Sequence, residues 1–301
     1  MKNGEGNTLH QHDHTIFKMI ESRLKLFWRY FKRNRLAIFG LIVIAVLFLI
    51  AGLAAFLAPY DPGQTNVALK LNRPSFHHYL GTDQLGRDVF SRMLYGSRVS
   101  LSVGFVAVAI SIFIGILVGA VAGYYGGWAD NILMRFVDTM LCFPTFFLIL
   151  TVVALLGPGI FKIMVVIGIT SWMGTSRFVR AEFLSLRERD FTQAARALGV
   201  KDLRIIFRHI LPNALAPVFV TATLDVATAI LVEAGLSFLG FGVQPPAPSW
   251  GNILTEGRTY IFDAWWLTVF PGLAILITVL SFNLLGEGLR DAIDPRLRGR
   301  R

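Results

Sequence analysis

The amino-acid sequence predicts an all-α, polytopic membrane protein with six transmembrane helices. The chain of 301 residues is 54% hydrophobic and only 16% charged, a composition too apolar for a water-soluble domain. Four runs contain no Asp, Glu, Lys or Arg, and each can hold the ~20 residues that cross a bilayer as a helix. These runs are residues 36–60, 99–129, 139–161 and 264–286.

Two further spans are less obvious. The side of the membrane on which the basic segments are expected supports both of them. Residues 163–176 are uncharged but short, and Asp225 and Glu233 interrupt residues 213–240. The basic N-terminus is expected in the cytoplasm because cytoplasmic loops carry an excess of Lys and Arg. Without both spans, the basic loop 177–208 or the basic C-terminus would face the exterior. Six spans place most of the 29 Lys and Arg residues, and both termini, inside.

The N-terminal residues 1–36 are predicted to form a cytoplasmic tail and an amphipathic helix. Residues 1–14 are polar and contain three histidines that could weakly bind a transition metal, but a solvated tail is the favoured interpretation. Residues 15–35 carry apolar side chains on one face and basic side chains elsewhere, which is typical of a helix lying on the membrane surface. The first span, 37–58, is too long for a cleaved signal peptide and is interpreted as a retained anchor. The tail histidines are His10, His12 and His14.

Residues 59–98 are predicted to form an extracytoplasmic loop. Glycines punctuate this segment, and acidic and basic side chains alternate along its second half. The pattern predicts a turn followed by a short interfacial helix that is held by local ion pairs. The charged residues concerned are Asp83, Arg87, Asp88, Arg92 and Arg98.

Residues 99–287 contain the other five predicted spans. Gly115, Gly119 and Gly123 recur every four residues in the second span. Small residues at this interval lie on one helix face and let two membrane helices approach closely. We therefore predict that these glycines pack against another helix. A role in a moving interface is the second interpretation.

The third span begins with two opposite charges and contains a proline. Arg135 and Asp138 are three residues apart, so their side chains are expected to neutralise each other near the cytoplasmic face. Pro144 is expected to kink or interrupt the helix, because it lacks a backbone donor and clashes with the preceding turn.

The cytoplasmic loop 177–212 is basic and has a helical pattern on both sides of a glycine. Asp190 followed by Gln193 predicts a capping box that starts a short helix. Gly199 is expected to end that helix, because glycine tolerates the left-handed conformation at a helix C-terminus. A second helix is predicted to begin near Asp202.

The two helices of this loop are predicted to form a docking knob for a partner protein. Ala194, Ala195 and Leu198 are expected to share a face of small side chains on the first helix. In the second helix, apolar residues recur at helical spacing from Leu203 onwards. An ordinary cytoplasmic loop of a polytopic protein remains the alternative. Pro212 marks the approach to the next span.

Asp225 is the candidate functional residue within the membrane. Counted from residue 213 at 1.5 Å per residue, it lies roughly 18 Å into the bilayer, near the middle. A carboxylate there is costly unless it faces a wet cavity or a partner. Two interpretations stay open: Asp225 lines a translocation path, or it forms a structural hydrogen bond to a neighbouring helix. Glu233 lies closer to the outer face.

Several functions are disfavoured by the sequence. The chain contains no Gly-Lys dipeptide, so it lacks the phosphate-binding loop of P-loop ATPases. No arrangement of nucleophile, base and acid suggests catalysis, and no cofactor or metal site is expected in the spans. Its single cysteine, Cys142, allows no intrachain disulfide. The net charge of +10 follows from membrane topology, so no nucleic-acid partner is expected.

Residues 193–212 resemble the EAA loop through which ABC importer permeases grip their ATPase subunits. The family pattern is Glu-Ala-Ala, three residues, Gly, and then a spacer that ends in Ile-x-Leu-Pro. Gln193 replaces the Glu of that pattern and removes a charge, and His209 stands where the Ile would be. The matching residues are Ala194, Ala195, Gly199, Leu211 and Pro212, with Asp190 just before them.

Three more strings, in the same order, resemble the dipeptide/oligopeptide/nickel ABC permease family, C-type subunit. They are LGTDQLGRD, SFLGFGVQPPAPSWGN and FNLLGEGLRDAIDPRLR. The resemblance implies the fold of a type I, MetI-like importer permease that lies in the cell (inner or cytoplasmic) membrane. It also implies a homologous B-type permease partner, two ATPase subunits and an external solute-binding protein. The basic residues 288–301 would then be a cytoplasmic C-terminus.

Within this resemblance the solute stays open between dipeptides, oligopeptides, nickel chelates and glutathione-like molecules. Two other functional classes also remain. An ion-gradient-driven secondary transporter would use Asp225 and Glu233 as coupling carboxylates. An intramembrane enzyme or an assembly scaffold would need a polar catalytic set that the sequence does not suggest.

Overall fold

The computed structural model describes residues 28–157 and 159–293, and its regular structure in these ranges is helical. The tail histidines, most of the predicted amphipathic helix and the last eight residues of the predicted basic C-terminus lie outside the described residues. We number the helices in chain order. They are α1 (Arg35–Leu57), α2 (Val89–Tyr125), α3 (Gly127–Leu141), α4 (Thr145–Leu156), α5 (Ile160–Arg187), α6 (Asp190–Ala197), α7 (Asp202–Ile205), α8 (Leu211–Phe238), α9 (Trp250–Arg258) and α10 (Trp266–Ile293).

Four helices in the described residues are long and apolar enough to cross a membrane. They are α1, α2, α10 and the continuous helix Asp202–Phe238, which contains α7 and α8. The pair α3 and α4 makes a fifth span if it is counted as one broken helix. The α5 helix has 28 residues, but charged side chains in its second half make it less apolar. The structure therefore shows four or five spans by length and composition, where the sequence predicts six.

A proline breaks the third apolar run, as predicted. Helix α3 ends at Leu141, Pro144 is the N-cap of α4, and the axes of the two helices differ by 81°. Because proline has no backbone N–H and its ring clashes with the preceding turn, it suits the start of α4 and interrupts the apolar run there.

Helices α2 and α5 form the largest helix–helix contact in the described part of the chain. Three glycines of α2 lie along this contact. A Cβ atom on Gly115 would lie 2.7 Å from Thr175 Cβ, and one on Gly123 would lie 2.6 Å from Phe183 Cβ. A Cβ on Gly119 would lie 2.5 Å from a backbone oxygen of α5. Only hydrogen fits at these positions, so the two backbones approach closely.

Helix α10 packs against both α1 and α8. Gly40 of α1 faces the Ser281 carbonyl, which would lie 2.6 Å from an added Cβ. On α10, Gly286 faces Leu224 of α8 at 2.7 Å by the same measure. These close approaches draw α1, α8 and α10 into one packed core, which also includes apolar side chains of α2, α4 and α5.

The segment between α1 and α2 contains a turn and, among the described residues, a single isolated β-bridge between Thr82 and Asp88. Asp88 is the N-cap of α2, and its Oδ2 accepts a hydrogen bond of 2.8 Å from the Ser91 amide. Because this cap fixes the helix start, residues 89–98 are the first turns of α2. The predicted short, separate interfacial helix is therefore wrong.

Candidate functional site

Residues 190–210 form a knob of two short helices at the N-terminal end of α8. Helix α6 is followed by Gly199, which has a φ of +74°, and α7 then starts at Asp202. The positive φ explains why glycine occupies this turn. Helix, glycine turn and helix thus follow in the predicted order.

The start of α6 differs from the prediction. The N-cap is Arg189, with no side-chain capping bond, and Asp190 is the first helical residue. The Nε2 atom of Gln193 donates to the Arg187 carbonyl at 3.1 Å, so this side chain does not reach back to its own helix cap. The predicted capping box is wrong, because the helix starts one residue earlier, Asp190 lies inside it, and the Gln193 amide donates to the preceding turn.

One face of the knob packs into the protein. Thr192 is completely buried, and its Oγ1 donates to the Leu186 carbonyl at 2.8 Å. Ala195 is buried, whereas its neighbour Ala194 is exposed. The predicted shared face of Ala194, Ala195 and Leu198 is therefore wrong, since a helix turns each successive residue by about 100°. The buried side packs against a cluster that includes Val179, Phe183, Ile205, Ile206 and Ile210.

The opposite face of the knob presents large apolar side chains to its surroundings. Leu198, the C-cap of α6, is 83% exposed, and three other exposed apolar side chains lie in α6, in α7 and at residues 206–210. Monomeric soluble surfaces rarely group such residues without a partner. We call this set the docking face: Phe191, Leu198, Leu203 and Phe207.

Polar contacts fix the knob to the C-terminal ends of α2 and α5. The Tyr124 hydroxyl donates to Asp202 Oδ1 at 2.6 Å. Arg187 donates to the Tyr124 carbonyl at 3.1 Å, and the Arg196 guanidinium lies 5.8 Å from the Tyr124 ring centroid. Tyr124 therefore links α2, α5, α6 and α7. Sequence reasoning missed it, because its partners lie 63 or more residues away and no local pattern marks them.

A second link joins α3 to α5 beside the knob. Arg180 donates two hydrogen bonds to the Asp130 carboxylate, at 2.5 and 2.6 Å. Asp138 pairs with Arg177 of α5 and not with Arg135 of its own helix. The predicted i,i+3 pair is therefore wrong, because the α3–α5 packing brings a longer-range arginine to Asp138.

A π-helical turn, Ile206–Ile210, joins the knob to α8. Leu211 and Pro212 begin α8, with proline in its first turn. The Asn213 side chain donates to the His209 carbonyl at 2.6 Å. Since proline supplies no backbone donor, a wide turn with side-chain support is a reasonable local solution. The chain stays helical from Asp202 to Phe238, so the second half of the knob is continuous with a helix long and apolar enough to cross a membrane.

Asp225 lies in the middle of α8, half-buried, beside a cavity of about 40 Å³. The cavity lies between α2, α5 and α8, and its polar lining includes Ser111 and Ser171. No protein group within the described residues forms a hydrogen bond or ion pair with Asp225. A cavity beside Asp225 agrees with a residue that lines a translocation path. The structural hydrogen bond to a neighbouring helix, which is the other interpretation, is not formed within the described residues.

Glu233 lies on the same helix in a different environment. It is 1% exposed and accepts hydrogen bonds from the Ser237 hydroxyl at 2.8 Å and the Ser249 hydroxyl at 2.9 Å. Ser249 also accepts from the Asn252 amide in the capping box of α9. Glu233 therefore joins α8 to the start of α9 as a structural group.

An ionic cluster between the start of α2, the segment before it and α9 extends the local pairs predicted from sequence. Arg92 is 1% exposed, contacts Asp83, and donates to both oxygens of Glu256 at 2.6 and 3.0 Å. Arg87 donates to Asp83 at 2.6 Å and to Glu256 at 2.9 Å. Burial acts to raise the pKa of Glu256, but hydrogen bonding and charge from Arg92, with charge from Arg87, lower it overall.

Comparison with known proteins identifies the family. Residues 115–299 match the family described as "Binding-protein-dependent transport system inner membrane component". The chain belongs to this family. Residues 22–74 also match the N-terminal transmembrane domain of oligopeptide transport permease C. The chain is thus a multi-pass permease subunit of an ABC importer, which implies ATPase and binding-protein partners.

Curated relatives cover nearly the whole permease. The dipeptide transport system permease protein DppC of Alkalihalophilus pseudofirmus is 47% identical, over 89% of this chain and 88% of that protein. The di/tripeptide permease DppC of Pseudomonas aeruginosa is 43% identical, over 92% and 93%. The glutathione permease GsiD of Pectobacterium atrosepticum is 42% identical, over 93% and 94%.

A solved structure shares the fold. A chain of the inward-facing MetNI methionine ABC transporter superposes with a TM-score of 0.53 and 19% identity. The match covers 68% of the permease and 98% of that chain. At this identity the likeness concerns the fold alone, which is the MetI-like fold expected from the resemblance.

Proposed function

We propose that this permease is the C-type subunit of a peptide importer and forms half of its translocation pathway. The relatives are named for dipeptide, di/tripeptide and glutathione transport, so a short peptide is the solute class proposed here. A homologous B-type permease would supply the other half, and an external binding protein would deliver the solute. ATP hydrolysis would occur in two separate ATPase subunits, with no catalysis by this chain.

The docking face carries this proposal. Its apolar side chains stand on short helices whose other face is buried, and Tyr124 fixes those helices to the ends of two long ones. A groove on an ATPase subunit would bury Leu198, which is the most exposed side chain of the docking face, and Phe207, which is the larger of the two exposed side chains in the second half of that face. Burying such anchors at an interface centre typically contributes most of its affinity.

Six spans complete the proposed topology. Helix α5 is the additional span: at 1.5 Å per residue its 28 residues extend about 42 Å, and its apolar half lies against α2. The pair α3–α4 crosses as a broken helix. Both termini then lie in the cytoplasm with the knob, and the ionic cluster at Arg92 lies outside, in agreement with the excess of basic residues in 177–208.

Asp225 is proposed to line the translocation path. Its cavity opens beside Ser171 and Thr228, which are both exposed in the isolated subunit. A B-type partner placed against this face would turn the opening into part of a central pathway. The proposal predicts that Asp225→Asn assembles normally with the ATPases but transports peptide more slowly.

Co-purification from native membranes tests the docking face. Leu198→Asp places a charge at the centre of that face, and we expect the variant to insert normally but to lose its ATPase subunits. The matched control is Phe262→Asp. Phe262 is 98% exposed and lies between α9 and α10, beyond the opposite end of α8, so the control should retain the ATPases. Full ATPase recovery with Leu198→Asp, or equal loss with both variants, would contradict the docking role.

A further inference from the structure

The cavity beside Asp225 has an oxygen-rich lining within otherwise apolar walls. Four polar side chains contribute to it, from α2, α5 and α8, and the remaining lining residues are Ala, Val and Ile. A volume of about 40 Å³ exceeds what one water molecule needs,. It is far too small for a whole peptide. The polar lining residues are Ser111, Ser171, Asp225 and Thr228.

Ser111 lacks the hydrogen bond that a buried helical serine normally makes. It is 2% exposed, and its Oγ has no hydrogen-bond partner. Buried hydroxyls elsewhere in the spans donate to their own helix, as Ser176 does to the Met173 carbonyl at 2.7 Å and Ser281 to the Ile277 carbonyl at 2.7 Å. An unpartnered polar atom of this kind is costly, and it faces the same cavity as Asp225.

Charge balance points to a cation. Asp225 is the only charged residue that lines the cavity, and no arginine, lysine or histidine of the described chain pairs with it. An unpaired carboxylate within a span is expensive. A single positive charge in the cavity would neutralise it, while Ser111, Ser171 and Thr228 would complete a shell of oxygen ligands. Hard cations prefer such oxygen ligands.

We propose that this cavity binds one compact monovalent cation through the Asp225 carboxylate and the Ser111 hydroxyl. A sodium ion and a primary ammonium group share the required chemistry. The sodium case stands on this chain alone, whereas the ammonium case, with a peptide amino group as its source, rests on the proposed function. A divalent ion is disfavoured because the cavity supplies one carboxylate and has no room for a hydrated magnesium ion.

Thermal unfolding of the full chain in mild detergent tests the site without ATPases or transport. At constant ionic strength, choline chloride is replaced by sodium, potassium or methylammonium chloride. Binding to the folded state alone raises the unfolding temperature, and we expect sodium or methylammonium to raise it by at least about 2 °C. A response to sodium identifies a metal ion, and a response confined to methylammonium identifies an ammonium site.

Three variants make the result specific. Asp225→Asn and Ser111→Ala are each expected to remove the cation-dependent shift. Ser281→Ala is the matched control, since it deletes an equally buried span hydroxyl that already bonds to its own helix, and it should keep the shift. Equal unfolding temperatures of the wild type in all four salts would overturn the proposal. So would a shift that survives in Ser111→Ala, because the cation would then bind elsewhere. These outcomes are independent of whether the docking face binds an ATPase.

Discussion

Charged side chains pair in two regions of this permease, and the two regions differ in how deeply those pairs are buried. In the ionic cluster around Arg92 (the outer cluster, at the proposed outer end), the side chains of Asp83, Arg87 and Arg92 are almost completely buried and paired, and the indole N–H groups of Trp250 and Trp266 donate to backbone carbonyls of the same region at 3.1 Å. Near the knob, at the proposed cytoplasmic end, the Arg177–Asp138 pair is exposed, and the apolar side chains of the docking face are uncovered. The outer cluster therefore keeps its charges inside the protein, whereas the knob has one buried face and one exposed face.

Breaking the outer cluster should have the largest effect on stability. Arg92→Ala leaves the buried Asp83 and the half-buried Glu256 with Arg87 as their one remaining guanidinium partner among the described residues, and removing one partner of a buried ion pair costs about 3–5 kcal/mol. The control is Arg177→Ala at the cytoplasmic end. Arg177 and Asp138 have side chains 51% and 57% exposed, and such pairs contribute about 0–1 kcal/mol. Equal losses for the two variants, measured by unfolding in detergent, would remove the contrast between the ends.

Acid should weaken the outer end through Glu256. Its pKa is lowered in the folded protein from an ordinary value of 4.5. The folded state therefore binds fewer protons, and the stabilisation is complete above pH 4.5 and is lost as the pH falls through the folded pKa. Hydrogen bonds to charged groups contribute about 2 kcal/mol. We expect the wild type to lose more stability than Glu256→Gln as the pH falls below 4.5 towards the lowered folded pKa; parallel pH profiles would contradict this.

The glycine turn of the knob should give a smaller, local effect. Gly199 has a φ of +74° and free space around a potential Cβ, so Gly199→Ala introduces backbone strain of about 1–2 kcal/mol without a clash. We expect faster amide hydrogen exchange in residues 190–205 and little change elsewhere. Gly174 also has open space but lies inside α5 without a positive φ, so Gly174→Ala should not accelerate exchange. Unchanged exchange in Gly199→Ala would show that the knob does not depend on this turn.

Features set by a single residue or its close neighbours could be predicted from the sequence, whereas contacts between residues far apart in the chain could not. The helix–glycine–helix order of the knob and the break at Pro144 follow from the conformational limits of glycine and proline. Two local predictions were wrong. Asp138 pairs with Arg177 of another helix in place of Arg135, and Gln193 donates to the Arg187 carbonyl of the preceding turn in place of forming a capping box. Sequence spacing cannot show such competition, since it depends on how helices pack.

The same limit applies to the site residues. The mid-span position of Asp225 could be counted from the sequence, but its cavity with Ser111 depends on three helices meeting. The hydrogen bond between Tyr124 and Asp202 joins residues 78 positions apart. The sequence predicted a helix start near Asp202 but gave no sign that Tyr124 would contact it. For Glu233 the sequence position suggested a coupling carboxylate. In the structure it accepts hydrogen bonds from two serine hydroxyls, one of which belongs to the cap of α9.

Site-specific cross-linking tests the docking face most directly. The exposed Cys142 is first replaced by serine, and single cysteines are then introduced as Leu198→Cys, Phe207→Cys and, as the control, Phe262→Cys. In native membranes with the other transporter subunits present, a short bifunctional thiol–amine reagent should join the two knob variants to an ATPase subunit and leave the control unjoined. Cross-links to an ATPase from Phe262→Cys alone, or from none of the three in an intact complex, would contradict the docking face.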